Sequence, residues 1–149
     1  MDAGELIGGR YRVDGGIASG GMGEVWRATD TVLGRRVAVK VLRPDLSADA
    51  SFGVRFRAEA HTLATLHHPG VVDVYDYGEV TSPDGTEMAY LVMAYVEGEP
   101  LSRRLDAAGR LAPEATMLIV AQVAEALQAA HSAGIVHRDV KPEIGRAHV

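Results

Sequence analysis

The run Ile17-Ala18-Ser19-Gly20-Gly21-Met22-Gly23-Glu24-Val25 has a composition that could hold phosphate. Backbone approaches phosphate oxygens closely only where side chains are absent, and its N–H groups then act as donors. An ordinary glycine-rich turn accounts for the run equally well at this level. A dinucleotide-binding turn would need a helix directly after the glycines. VWRATD and RRVAVKVL follow instead and read as strands, which disfavours that alternative. Lys40 stands fifteen residues after Val25, between valines. Alone it reads as a solvated strand lysine, although a period of two puts it on the same strand face as Ala38. His61, His67 and His68 cluster, but no cysteine accompanies them and no zinc-protease spacing is present, so no metal site is expected. A last charged string, Ile135-Val136-His137-Arg138-Asp139-Val140-Lys141-Pro142, reads in isolation as a charged loop.

These residues need elements to position them. Residues 11–42 read as strands, with Val37, Val39 and Val41 alternating against Arg36, Ala38, Lys40 and Leu42. Leu33-Gly34 marks a tight turn. Pro44-Asp45 breaks the pattern. Ser47 can cap a helix through Phe52, Phe56, Glu59, Leu63 and Leu66, which His68-Pro69-Gly70 ends. Residues 71–80 and 88–96 are apolar, β-rich runs around a hairpin turn at Ser82-Pro83-Asp84-Gly85. Glu97-Gly98-Glu99-Pro100 reads as a linker and Leu101–Ala108 as a short helix. Pro113 with Glu114 opens a longer helix carrying Leu118, Ile119, Val123, Ala126, Leu127 and Ala130 at the 3.6 period, with Gly134 as its stop. The class is α+β: a small antiparallel sheet with one helix over residues 11–96, then a mainly helical region.

Composition narrows the function. The 149 residues are enough for one ordinary domain. A net charge of −5 without a basic block argues against nucleic acid. The absence of cysteine excludes disulfides and thiolate metal sites. Asp2 and Glu5, with no apolar segment near them, argue against a signal peptide. The most apolar stretch, MLIVAQVAEAL, contains Gln122 and Glu125 and is far short of a bilayer span.

Taken in order, the glycine run, VAVK, the helix Glu, YLVMAYVEG and HRDVKP resemble protein kinases over about residues 8–142. GGMGEVWRATD and HPGVVDVYDYGE resemble the actinobacterial receptor-like group of serine/threonine kinases. The resemblance implies a protein-kinase-like fold with a complete N-lobe, a five-stranded antiparallel sheet plus one main helix, and only the start of the helical C-lobe. Its divisions are a lead-in at 1–10, the N-lobe at 11–96, the hinge and truncated C-lobe at 97–142, and a tail at 143–149. Ile17, Ala18, Gly20, Gly21, Gly23 and Val25 would cover ATP. Ala38 would leave room for the purine and Lys40 would reach the phosphates. Glu59 would hold Lys40 in place; by helix pattern alone it is a solvated residue able to pair with Arg55. Met93 would line the back of the adenine pocket, with the backbone of Ala94 and Val96 on the adenine edge. Asp139 would take the proton of the substrate hydroxyl. Lys141, a residue type that resembles Ser/Thr kinases at this place, would neutralise the transferring phosphate. His137 and Arg138 would anchor the loop. Ala18 departs from the family, which has the first Gly of G-x-G-x-x-G there, and narrows the backbone freedom of the loop.

The implied activity of a longer parent protein is transfer of the γ-phosphate of ATP, with Mg²⁺, to protein Ser/Thr hydroxyls. The kinase domain would lie in the cytoplasm, in a parent that could be membrane-anchored and could dimerise through its kinase domains. Ile144 stands where the family has a metal-binding Asn, and no DFG motif follows. The chain itself is therefore expected to be inactive. Glu143-Ile144-Gly145-Arg146-Ala147-His148-Val149 matches the translation of a common sequencing adapter, which would make Pro142 the last authentic residue. The alternative is a non-catalytic nucleotide-binding or pseudokinase interaction module. In either case the apolar stripe of the 113–133 helix is expected to be exposed.

Overall fold

A computed structural model of the chain describes residues 1–20, 23–42, 50–81, 85–143 and 146–147. Its elements are β1 (Leu6–Ile7), β2 (Tyr11–Gly20), β3 (Gly23–Asp30), β4 (Arg35–Val41), α1 (Ala50–Thr65), β5 (Val74–Thr81), β6 (Glu87–Ala94), β7 (Glu99–Pro100), α2 (Leu101–Ala108), α3 (Pro113–Ser132) and β8 (Arg146–Ala147). They form two compact units. Residues 1–65 and 73–95 make the first; residues 66–72 and 96–149 make the second.

The first unit is a six-stranded antiparallel sheet in the order β1-β2-β3-β4-β6-β5, with α1 packed on β5. The five expected strands are present, and one more lies in what reads as a lead-in. Gly8 and Gly9, at φ +57° and +67°, reverse the chain so tightly that Ile7 pairs with Tyr11 and Leu6 with Arg12. Two paired residues are too few to leave a period in the sequence. Ile7 is nevertheless buried.

Register explains the core. Val13, Ala28 and Val37 stand side by side on successive strands, as do Trp26, Val39 and Val92. Together with Tyr11, Val41 and Tyr90 these residues make up one buried face. Full burial of each such side chain contributes about 1.5–3 kcal/mol. No second layer is needed to cover this face, because the sheet curls onto itself. β2 and β5 are four places apart in the strand order, roughly 19 Å in a flat sheet. Yet the Tyr11 hydroxyl donates to Asp76 Oδ2 at 2.6 Å, and the Tyr11 and Tyr90 rings meet edge-on with centroids 6.2 Å apart. Burial and the Asp76 carboxylate push the Tyr11 phenol well above its ordinary range.

Asp30 closes the turn between β3 and β4. It is 1% exposed and accepts two hydrogen bonds from Arg10, at 2.9 and 2.8 Å, and two more from the N–H groups of Val32 and Leu33. The Arg10 bonds, with those N–H groups, hold its carboxyl well below the usual carboxylate range. Gly34, at φ +66°, supplies the turn expected there.

Helix α1 ends at Thr65, three residues ahead of His68-Pro69-Gly70, and Leu66 is buried just beyond it. The expected cap Ser47 and the turn residues Ser82, Pro83 and Asp84 lie outside the described residues.

In the second unit, α3 begins with Pro113 in its first turn and Glu114 beside it, and Gly134 at φ +81° follows its end. Neither α2 nor α3 contains a buried residue. The Ser102 N–H donates to the Pro142 carbonyl at 3.0 Å, and β8, within the 143–149 tail, pairs antiparallel with β7. Among the described residues no helix is long and apolar enough to cross a membrane.

Candidate active site

The glycine run forms the hairpin between β2 and β3. Ala18 pairs with Val25, Ser19 with Glu24 and Gly20 with Gly23; Gly21 and Met22 lie outside the described residues. The register slips between Gly16 and Ala18, so a bulge falls at Ile17. Gly23 is required by its surroundings. Its φ is +138°, and a Cβ there would collide with the Val41 carbonyl oxygen. Ala18 makes no such demand, because its φ is not positive. That is the local reason an alanine fits where the family pattern has glycine. A cavity of about 290 Å³ lies against the hairpin, lined by Ile17, Ala18, Ser19, Val25 and Trp26 among others. Ala38, Lys40 and Met93 are not in its lining.

Strand register brings the next candidates together. Val25 stands directly beside Lys40, and Lys40 beside Leu91; Arg27 stands beside Ala38, and Ala38 beside Met93. Directly paired residues project to the same side of a sheet, so Val25, Ala38, Lys40 and Met93 share the face opposite the buried core. The Ala94 N–H donates to the Asp73 carbonyl at 2.9 Å. Any adenine contact from Ala94 must therefore use its carbonyl. Val96 falls in the second unit.

Glu59 is not brought to Lys40. It is exposed on α1, and among the described residues it forms no ion pair with Lys40 or with Arg55. Arg55 Nε instead donates to the Ser51 carbonyl at 3.2 Å. The charged contact that α1 does make was not legible in the sequence. Arg57 Nη2 lies 2.6 Å from Glu79 Oε1 on β5, and the Tyr77 hydroxyl donates to the same oxygen at 2.9 Å. The Tyr77 and Arg57 bonds hold the Glu79 carboxyl below its ordinary value. The residues of this cluster on helix and strand are about twenty positions apart, so no local period reports it.

The loop after α3 is compact and exposed. The Asp139 N–H donates to His137 Nδ1 at 3.2 Å, and Asp139 Oδ2 lies 2.9 Å from Lys141 Nζ. The hydrogen bond that Lys141 donates to the Asp139 carboxylate raises its ammonium above its ordinary pKa. Arg138 is the one described non-glycine residue at positive φ, +67°. This reverses the chain locally between the histidine and the aspartate. Of the three histidines read as a cluster, His61 is exposed, while His68 Nδ1 accepts the Gly70 N–H at 2.9 Å. Among the described residues no three of His, Cys, Asp and Glu converge as a metal site would require. Ile144 lies outside the described residues.

The family model described as "Protein kinase domain" matches residues 11–143. The serine/threonine-protein kinase PknA of Mycobacterium tuberculosis (strain ATCC 25618 / H37Rv) is 53% identical over 93% of this chain and 32% of its own length. A probable serine/threonine-protein kinase of Streptomyces coelicolor, SCO3848, is 47% identical over 95% of this chain and 21% of its own length. The chain thus spans a third or less of these relatives. Among solved structures, the M. tuberculosis PknI kinase domain superposes with a TM-score of 0.80 at 33% identity, covering 96% of this chain and 55% of that one. The chain belongs to the protein kinase domain family and covers the N-terminal part of that domain, with actinobacterial serine/threonine kinases as close homologues.

Proposed function

We propose that the chain is the nucleotide-binding portion of an ATP-dependent protein serine/threonine kinase, whose longer parent phosphorylates Ser or Thr hydroxyls of proteins in the cytoplasm. The observation that carries this reading is the register on one sheet face, with Val25 beside Lys40 and Ala38 beside Met93. A flat purine fits over the small Ala38, between Val25 and Met93. Lys40, two residues along the same face, presents its ammonium to the phosphates. The glycine hairpin lets backbone N–H groups approach the same phosphates. Asp139 accepts the proton of the attacking hydroxyl, a role worth about 10²- to 10⁴-fold. Its partner Lys141 stands ready to neutralise the transferring phosphate.

Magnesium is the point of misfit. The family holds it with an Asn and an Asp. The Ile144 side chain has no donor oxygen, so the residues present do not make that site. The 149 residues alone are expected to bind nucleotide without transferring phosphate. The same residue favours a second reading, a non-catalytic nucleotide-binding module. Membrane anchoring and kinase-domain dimerisation belong to the proposed parent.

Calorimetric titration of ATP into the chain and its Lys40→Met variant tests the reading, alongside incubation with radiolabelled ATP. Binding weakened at least about tenfold by the substitution, with no label incorporated, is expected; a factor of ten corresponds to about 1.4 kcal/mol. Equal affinity of the two proteins would remove Lys40 from the site. Incorporated label would refute inactivity.

A further inference from the structure

Gly15 and Gly16 lie on β2 just ahead of the glycine run, and each is the floor under a β3 side chain. Gly16 pairs with Trp26 and Gly15 with Arg27. A Cβ at Gly16 would stand 3.7 Å from Trp26 Cζ3, and a Cβ at Gly15 would stand 3.6 Å from Arg27 Nη2. Successive residues of a strand project to opposite faces. Trp26 therefore lies over Gly16 on the face of the core. Arg27 lays its guanidinium over Gly15 on the face that holds Val25, Ala38 and Lys40.

Arg27 stands in register beside Ala38, yet its charge is turned away from that residue. Over Gly15 the guanidinium is two strands from β4, roughly 10 Å by strand spacing, and Lys40 is two residues, roughly 7 Å, further along. The charge is thus about 12 Å from the Lys40 position, beyond contact but within reach of its field. Arg27 is exposed and forms no ion pair among the described residues. The carboxylate just before Gly15, that of Asp14, accepts from Thr29 Oγ1 at 2.7 Å and lies 3.9 Å from Arg12 Nε, so it is shared with another cation. The chain as a whole carries a charge of −5, which repels an arriving anion. A cation at the rim of this face offsets that repulsion locally. Its range is about 10 Å at 0.1 M salt and about 30 Å at 0.01 M.

We propose that Arg27 is a steering residue: it raises the rate at which a phosphate-bearing anion, the nucleotide, reaches the Lys40 face, without touching it once bound. This rests on the reading of Lys40 as a nucleotide ligand. A charge outside the contact set acts on association and leaves dissociation alone. Arg35 supplies an internal contrast. It carries the same charge, but it alternates onto the face of Val37 and Val39, where its guanidinium lies 3.8 Å over the Tyr75 ring. Neutralising either arginine changes the net charge equally. Only the loss of Arg27 should slow capture at Lys40.

Acetylation of Lys40 measures the arrival of a small anion without requiring nucleotide binding. Lys40 and Lys141 are the chain's two lysines, so peptide mapping reads each separately. The rate with acetyl phosphate, a dianion, is divided by the rate with the neutral N-hydroxysuccinimidyl acetate, which cancels any change in the lysine's own reactivity. At about 10 mM salt, Arg27→Gln should lower this ratio at Lys40 about 1.5- to 3-fold. Arg27→Lys should keep the parent ratio, and Arg35→Gln should lower it less. Salt at about 0.5 M should abolish the differences. An unchanged ratio in Arg27→Gln, or an equal fall in Arg35→Gln, overturns the proposal. Stopped-flow mixing of the same proteins with ATP should show association slowed about two- to five-fold by Arg27→Gln, with dissociation unchanged. If the ratio falls while no protein binds ATP, the steering of anions stands and the nucleotide reading fails. If Arg27→Gln speeds ATP dissociation and leaves the ratio unchanged, Arg27 is a contact residue; steering fails and the nucleotide reading stands.

Discussion

The two units bury their apolar residues to opposite extents. In the first, Val37, Val39 and Val92 are fully buried on a sheet that encloses its own core. In the second, the apolar period of α3 holds no buried residue: Ile119, Ala126, Leu127 and Ala130 are half-buried and Leu118 is 65% exposed. Both patterns are equally visible in the sequence. A strand can find its partners within a curled sheet, whereas a helical stripe is buried only when another element lies against it. The first unit therefore carries its own stability, and the second presents a surface.

Substitutions can break or sharpen this contrast. The largest effect is expected from Val39→Ala, which should destabilise the first unit by about 2 kcal/mol through lost burial and a residual cavity. Urea unfolding followed by the fluorescence of Trp26, the single tryptophan, reads that unit alone. Next comes Asp30→Asn, which leaves the Arg10 guanidinium without its carboxylate; the melting temperature should fall by about 5 °C or more.

Acid should weaken the first unit. Asp30 and Glu79 have depressed carboxyl pKa values, so their stabilisation is fully present above the ordinary carboxylate range and is lost as pH falls through the folded-state values. Lys141 is raised by its pairing with Asp139, and that contribution is lost as pH rises through the folded-state value of the lysine. The Trp26 transition should therefore melt at a lower temperature at pH 3 than at pH 7. An unchanged melting temperature would contradict the assignment. The smallest effect is expected from Leu118→Ala, within about 0.5 kcal/mol. Leu118→Gln with Val120→Gln should instead lower the binding of an apolar dye without moving the Trp26 transition.

Much of this architecture was legible in the sequence. Val37, Val39 and Val41 announced β4 by their alternation, and Pro113 and Gly134 bracketed α3. Three features were not. β1 is too short to show a period and depends on Gly8 and Gly9 to fold it back. The curl that joins Tyr11 to Asp76 links residues with no local relation. Helix α1 has an inward line set by Phe56 and Ala60, but which flank is engaged depends on where Glu79 falls on β5. The family resemblance singles out Glu59, whereas Arg57 makes the contact. The glycine run was legible as a turn leading into strands. That Gly23, and not position 18, is the residue that must lack a side chain became clear only from the approach of the Val41 carbonyl.

The central claim is that Lys40 lies in a nucleotide site on the sheet face that it shares with Val25, Ala38 and Met93. The most direct measurement is acylation of the chain by an acyl phosphate of ATP, with the two lysines quantified by mass spectrometry in the presence and absence of excess ATP. Labelling of Lys40 that excess ATP suppresses is the predicted result. Labelling of Lys40 at the same level with and without ATP would contradict the claim.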